Sequence, residues 1–368
     1  MPPISVMLKP ASSLCNMRCT YCFYHSLAEQ RESPSHGMMS LGTLRNVLEK
    51  AFAYADGKHV ALSFQGGEPL LAGKDFFLRA AELIRDLNVN RSPVSVGVQT
   101  NGTLIDEEWC RMFTRLKWLV GLSLDGDRVS DAMRVDADGG ETFDRVYAAA
   151  KLLQKNRTEF NVLCVLTRPV AERIDRVYAF FRRSGFRHLQ FIPVLLPLRR
   201  GGTPSAGSAA DKAAEEMRLT PEAYAVFLKK AFSLYMKDMI DGRYTSIRLF
   251  DNFVQLVNRG YAEQCGMNGG CSRQFVVEGD GAVYPCDFYC LDEYCMGNVN
   301  DSTFEELERS PAAVRFAEES AVLPEKCADC KYKRLCGGGC RRERADLDKC
   351  EAYREFFDYA LPHMKRMR

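Results

Sequence analysis

No apolar run in these 368 residues approaches the 18 or so needed to span a bilayer. The first ten residues have neither a basic stretch nor an apolar one, so a secretory signal is not expected. Charge of one sign is not in excess: 50 Lys and Arg against 48 Asp and Glu leave +2. That balance gives no electrostatic reason to expect nucleic acid or a membrane as partner. No internal repeat is visible. At 46% hydrophobic and 27% charged the chain is not a disordered one. A cytoplasmic globular protein of two or three domains is the expectation.

Cysteine is what the chain has in unusual measure. There are 15, an odd number, and cytosolic thiols are normally kept reduced, which argues against a disulfide framework. Their distribution is uneven. Cys15, Cys19 and Cys22 lie within eight residues, ten more lie between Cys265 and Cys350, and Cys110 and Cys164 stand alone. Clusters of this kind point to metal or iron–sulfur ligation.

Near-continuous apolar runs at 4–8, 60–64, 94–98, 118–124, 160–166 and 188–192 predict parallel strands covered on both faces. Helical spacing between them predicts helices at 40–54, 74–87, 106–117, 142–155 and 171–183, with Ser40, Asp106 and Thr220 placed as N-caps. Six βα units imply a barrel or open parallel sheet, with function at the C-terminal strand ends. A polar insert at 199–216, RRGGTPSAGSAADKAAEE, reads as a loop, and helices at 221–240 and 247–259 follow. A hairpin at 274–284 turning on Gly279-Asp280-Gly281, a cysteine-rich stretch that needs metal to fold, and a last helix at 351–367 complete the reading.

Cys15-x3-Cys19-x2-Cys22 directly follows the first strand. Three thiolates hold three corners of a four-iron cluster and leave one iron open. Structural zinc, the plainer alternative, wants four ligands. With Tyr21 before the last cysteine, the loop resembles the radical S-adenosylmethionine superfamily. Gly66-Gly67-Glu68-Pro69 after the second strand resembles that superfamily's methionine-binding motif, although alone it reads as a turn. The resemblance implies a cluster at Cys15, Cys19 and Cys22 that binds S-adenosylmethionine and releases a 5′-deoxyadenosyl radical. It implies cofactor contacts at Tyr21, Gly67, Ser123, Arg134 and Leu195. Arg134 would bind a carboxylate through its planar fork, or is a solvated surface charge. The Gly- and Asp-rich stretch 136–140 is expected to move.

The C-terminal spacing Cys271-x14-Cys286, Cys327-x2-Cys330-x5-Cys336-x3-Cys340 and Cys350 resembles the SPASM extension with its auxiliary clusters. With Cys265 the set is an octet. By resemblance Cys265, Cys271, Cys286 and Cys340 hold one cluster, and Cys327, Cys330, Cys336 and Cys350 the other; paired zinc ribbons are the alternative. The cofactors implied are three 4Fe-4S clusters and S-adenosylmethionine. The fold implied is α/β, a partial (β/α)6 TIM-like barrel followed by a small cysteine-rich iron–sulfur domain. Its expected limits are 1–240 for the barrel, 241–350 for the SPASM domain with its linking helix, and 351–368 for a terminal helix.

MPPISVMLKPASSLCNMRCTYCFYH, FQGGEP, LQFI, CGMNGGC and VYPCDFY together resemble the anaerobic sulfatase-maturating enzymes. The family oxidises a Cys or Ser side chain, within a Cys-x-Pro-x-Arg type of motif, to Cα-formylglycine. The resemblance makes Asp287 the proton acceptor, and without it Asp287 reads as a turn residue after Pro285. Tyr24, Gln65 and Gln99 stand where a substrate peptide would be held. The partners implied are an unfolded or nascent sulfatase polypeptide and an electron donor such as flavodoxin or ferredoxin, with no nucleic acid and no membrane. Another peptide-modifying radical maturase, forming thioethers or epimerising residues, would share both cysteine patterns. The first cysteine at residue 15 leaves no room for the extra N-terminal domain many of those carry.

Overall fold

The computed structural model describes residues 2–195, 215–271 and 274–367. Most of the insert read at 199–216 therefore lies outside the described residues. In chain order the elements are β1 (Ile4–Leu8), α1 (Phe23–Gln30), α2 (Leu41–Ala55), β2 (Val60–Phe64), α3 (Gly73–Leu87), β3 (Val94–Thr100), α4 (Glu107–Leu116) and β4 (Leu119–Ser123). There follow α5 (Phe143–Lys155), β5 (Phe160–Leu166), α6 (Arg168–Glu172), α7 (Ile174–Ser184), β6 (His188–Pro193), α8 (Pro221–Ile240), β7 (Ser246–Ile247) and α9 (Arg248–Arg259). The C-terminal part holds β8 (Phe275–Val277), β9 (Ala282–Tyr284), β10 (Gly297–Asn298), α10 (Phe304–Glu308), α11 (Pro311–Ala321), α12 (Lys333–Cys336), α13 (Arg341–Asp346) and α14 (Cys350–Met364).

The strands form one sheet in the order β10-β9-β8-β1-β2-β3-β4-β5-β6-β7, parallel from β8 to β7. Alternation along each strand sends one set of side chains out beneath the helices and the other into the lumen. Leu62 and Phe64, Val120 and Leu122, and Val162, Cys164 and Leu166 are outward and fully buried. The predicted caps act as such: Ser40 accepts from Thr43 N, Asp106 from Glu108 N and Trp109 N, Thr220 from Ala223 N.

The cysteine-rich part is continuous with the barrel. β8 pairs in parallel with β1, Leu8 opposite Val277, so the predicted hairpin extends the barrel sheet. α14 returns to pack on α8 and α9, with Phe356 5.5 Å from Phe232 and Phe357 4.9 Å from Phe253 between ring centres. Cys110 and Cys164 are buried core residues. No helix among the described residues is long and apolar enough to cross a membrane.

Candidate active site

The three-cysteine loop leaves the end of β1 and is clamped by the turn after β2. Gly67 N donates to Ser12 O at 2.8 Å and Glu68 N to Leu14 O at 2.8 Å. A Cβ on Gly67 would stand 2.0 Å from Leu14 O, and one on Gly66 2.7 Å from Ser12 O. Glycine is therefore required here by the approach of the cysteine loop itself. Glu68, wholly buried, ties this turn to the end of β3 by accepting from Leu70 N (3.0 Å), Thr100 Oγ1 (2.8 Å) and Asn101 N (2.7 Å). Burial pushes its carboxyl up to about 7. Asn101 in turn points Nδ2 at Cys15 Sγ (3.8 Å) and Asn16 Oδ1 (2.9 Å).

Burial pushes all three thiols of the loop up, Cys19 to about 12, and Cys22 raises both Cys15 and Cys19. Cys22 is also the N-cap of α1, where Tyr24 N and His25 N favour a thiolate. The 136–140 stretch is a closed turn tied to this loop: Asp136 N donates to Gly140 O at 2.9 Å, and Asp136 bridges Met17.

Behind the loop lies a buried polar cluster. Arg134 is 4% exposed, which excludes the solvated alternative. Its Nη1 donates to Tyr21 OH at 3.3 Å, and its Nε stands 3.4 Å from Asp131 Oδ1 without hydrogen-bond geometry. Tyr21 OH donates to Asp125 Oδ2, Asp125 Oδ1 accepts from Val165 N at 2.7 Å, and Asp131 Oδ1 accepts from Asp125 N at 2.9 Å. Ser123 Oγ accepts from Gln99 Nε2 at 2.9 Å. Leu195, buried, stands last in its described stretch.

Asp287 comes from the other end of the sequence, after β9, and meets the barrel at the end of β1. Tyr24 OH donates to its Oδ2, and Gln65 Nε2 reaches the same oxygen at 3.3 Å and Tyr24 OH at 3.0 Å. Lys9 Nζ pairs with Asp287 Oδ1 at 2.9 Å and with Glu278 Oε1 at 3.3 Å, and donates to Cys290 Sγ at 3.2 Å. Arg31 Nη1 pairs with Glu278 Oε1 at 2.9 Å. Two cations and two carboxylates thus share one nearly water-free volume. Burial opposes charge on Lys9, yet Asp287, Cys290 and Glu278 hold it well above the ordinary ammonium range. Burial likewise opposes charge on Glu278, but Lys9 and Arg31 bring it down to about 2. Of the predicted peptide contacts, Tyr24 and Gln65 join Asp287, whereas Gln99 bonds Ser123.

Lys9, Arg31, Glu278 and Asp131 escaped the sequence reading. The signal for Lys9 was a lysine closing an otherwise apolar strand. Glu278 was hidden by the turn signature that follows it.

Cys265, Cys271, Cys286 and Cys340 lie near one another, as do Cys327, Cys330 and Cys336, while Cys340 and Cys350 both line the cavity beside the second group. Burial and Cys271 raise Cys265; burial and then Cys340 and Cys271 raise Cys286; burial, with Glu343 and Cys265, takes Cys340 to about 12. Burial and then Cys330 and Cys327 raise Cys336. Cys327, Cys330, Cys336, Cys340 and Cys350 line a cavity of about 270 Å³. A Cβ on Gly337 would lie 2.5 Å from Met267 O, so the two cysteine loops touch. Cys290 lies buried at Lys9 and Cys295 is exposed. No three His, Cys, Asp or Glu among the described residues converge on the point a single ion would occupy, whereas a four-iron cluster spreads its ligands around a cube.

A family model described as the radical SAM superfamily matches residues 10–196, and one described as an iron–sulfur cluster-binding domain, SPASM, matches 265–331. The chain is 43% identical to a cysteine-type anaerobic sulfatase-maturating enzyme of Clostridium perfringens, over 99% of this chain and 98% of that protein. Identity to a serine-type enzyme of Bacteroides thetaiotaomicron is 30%, over 100% of this chain and 91% of that one. The solved structure of native anSMEcpe with bound AdoMet and Cp18Cys peptide superposes with a TM-score of 0.91 at 41% identity, covering 100% of this chain and 99% of that one.

Proposed function

Since the chain belongs to the anaerobic sulfatase-maturating enzymes of the radical SAM superfamily, we propose that it oxidises a cysteine or serine side chain in a sulfatase to Cα-formylglycine. The higher identity to cysteine-type relatives favours a cysteine target. Supporting the reading above all is the convergence of Asp287 with Tyr24 and Gln65 beside the three-cysteine loop, so that a carboxylate faces the place where the peptide would be attacked.

The residues fit the cofactors. Three mutually close, half-buried thiols at Cys15, Cys19 and Cys22 ionise readily only beside a strong positive charge, as ligands to iron would. The octet and its cysteine-lined cavity suit two further clusters, Cys265, Cys271, Cys286 and Cys340 for one and Cys327, Cys330, Cys336 and Cys350 for the other. Bound there, 4Fe-4S clusters and S-adenosylmethionine supply a hydrogen-abstracting deoxyadenosyl radical and one-electron chemistry, fed by a donor such as flavodoxin or ferredoxin.

The chain's own residues do the rest. Arg134, buried with an Nε lacking a good acceptor among the described residues, offers a guanidinium to the cofactor's carboxylate. Gly67, Tyr21, Ser123 and Leu195 are the other contacts proposed. Converting a CH₂–SH group to a thioaldehyde passes a Cβ hydrogen atom to the deoxyadenosyl radical, gives a second electron to an auxiliary cluster and releases the thiol proton; hydrolysis with release of H₂S then leaves the aldehyde. Asp287 accepts the thiol proton. Tyr24 and Gln65 fix its Oδ2, and Lys9 fixes its Oδ1.

Anaerobic incubation of reconstituted protein with S-adenosylmethionine, a reductant and a Cys-x-Pro-x-Arg peptide tests this by mass spectrometry. Aldehyde peptide together with 5′-deoxyadenosine is expected. Deoxyadenosine without modified peptide would reject the substrate, and neither product from iron-replete protein would reject the enzyme.

A further inference from the structure

A polar row crosses the inside of the barrel. The strand registers place Gln99 opposite Gly121, Gly121 opposite Asn161, and His188 opposite Ser246. Continued by one residue, the neighbouring registers set Gln65 beside Gln99 and Asn161 beside His188. Stagger between parallel strands carries the row from the end of β2, next to Asp287, to the start of β6. Gly121 is the gap in it. A Cβ there would stand 2.1 Å from Gln99 Oε1 and 3.3 Å from Asn161 Oδ1, so both amide side chains lean over bare backbone.

The row ends in a cavity of about 600 Å³ between the starts of β4–β7 and α9, lined by no cysteine, although its Glu263 stands two residues before Cys265. Two polar atoms among its lining residues, Asn161 Oδ1 and Gln255 Nε2, are buried and have no hydrogen-bond partner among the described residues. One is an acceptor and the other a donor, the complement of the N–H and C=O of a peptide group. Glu159 and Glu263 line the same cavity, are exposed, and have no ion-pair partner among the described residues. Asp251 is deeper and already accepts from Tyr235 OH (2.7 Å) and Ser246 Oγ (2.5 Å). Arg248 is the single lysine or arginine there, against three carboxylates.

We propose that this cavity is a second peptide subsite, which binds the backbone of the target segment through Asn161 and Gln255 and takes its arginine, four residues beyond the oxidised cysteine, between Glu159 and Glu263. The inference rests on the function proposed above. Three strand spacings separate Gln65 from Asn161, roughly 14 Å along the wall, and four residues of extended peptide span roughly 13 Å. A cysteine held at Asp287 therefore delivers the fourth residue after it to the cavity.

The test uses reconstituted holoenzyme and two peptides identical except that arginine in the Cys-x-Pro-x-Arg motif is replaced by citrulline, its uncharged isostere. Citrulline should raise KM about five- to tenfold at low salt, and less in 0.5 M salt, as exposed charges are screened. The double variant Glu159→Gln, Glu263→Gln should raise KM for the arginine peptide only; both residues are exposed, so folding is not at issue. Asn161→Leu should raise KM for both peptides alike. Equal KM for the two peptides on the parent protein, or an equal effect of the double variant on both, would overturn the subsite. Absence of aldehyde from the parent protein would instead count against the function. Fluorescence anisotropy of the labelled peptides would then still decide the subsite, by the same arginine-over-citrulline preference in Kd.

Discussion

Lys9 holds the two ends of the chain together at one atom. Its Nζ serves Asp287 and Glu278 at once, with 1% of the side chain exposed. Removing the cation leaves two buried carboxylates facing Arg31 alone, and breaking a buried pair costs roughly 3–5 kcal/mol. Lys9→Met should therefore lower the melting temperature by several degrees and release Asp287 Oδ1, with a fall in peptide oxidation. An unchanged melting curve would show that the charges are not desolvated as the geometry implies. Asp287→Asn, which keeps the shape but removes the proton acceptor, should retain S-adenosylmethionine cleavage and lose on the order of a hundredfold in aldehyde formation. Normal oxidation by that variant would remove Asp287 from the mechanism. Glu278 adds a pH signature. Its carboxyl ionises at about 2 in the folded chain against an ordinary value near 4.5, so the stability it contributes is present above about 4.5 and is lost as pH falls toward 2. At 1.36 kcal/mol per unit that is on the order of 3 kcal/mol. Acid unfolding of Glu278→Gln should show a shallower loss over that window, and identical profiles would contradict the pairing.

Elements differed in how readily the sequence revealed them. Strands β1–β6 were legible because parallel strands buried on both faces leave continuous apolar runs, and α2, α4 and α8 because their caps and stripes coincide. α1 was not. FYHSLAEQ is short and is capped by Cys22 of the three-cysteine loop, and its one fully buried side chain, Leu27, packs with Tyr289, Leu291 and Tyr294 of the distant C-terminal part. β7 has two residues, too few for any period. The β8–β9 hairpin was visible in its glycines, but pairing across some 270 residues with β1 leaves no local trace. The cysteine spacings were the clearest chemical signal, and the charges that serve the site were the faintest, since Lys9, Glu278 and Asp131 each sit in an unremarkable local context. The turn after β2 carries its own prediction. Gly67→Ala would force Cβ into Leu14 O and displace the cysteine loop. Reconstituted iron should fall by about one third, one cluster of three, with loss of deoxyadenosine formation. Full iron content and normal cleavage would mean the loop can yield.

At the scale of the whole molecule the question is what holds the cysteine-rich part in place. Two kinds of attachment bracket it. At its start β8 is hydrogen-bonded to β1, with Phe275, Val276 and Val277 buried. At its end α14 packs aromatic rings against α8 and α9, contacts that owe nothing to metal. Between them, residues 325–350 have only short helices, and their cysteines line a cavity where a core would otherwise be. Metal binding and folding are coupled in such segments, because ligands brought together in the native state are scattered in the unfolded one. Iron chelation should therefore loosen 325–350 while the sheet and the α8–α14 packing persist. Hydrogen exchange compared before and after chelation should show amides of that segment exchanging far faster, with β1, β2, β8 and α14 beyond its first turn still protected. Uniform loss of protection across the sheet would mean that the clusters hold the barrel itself, and uniform retention would mean that the cysteine loops fold without them. The first turn of α14 decides between these cases most sharply, since Cys350 opens a helix whose remaining turns are fastened to the barrel.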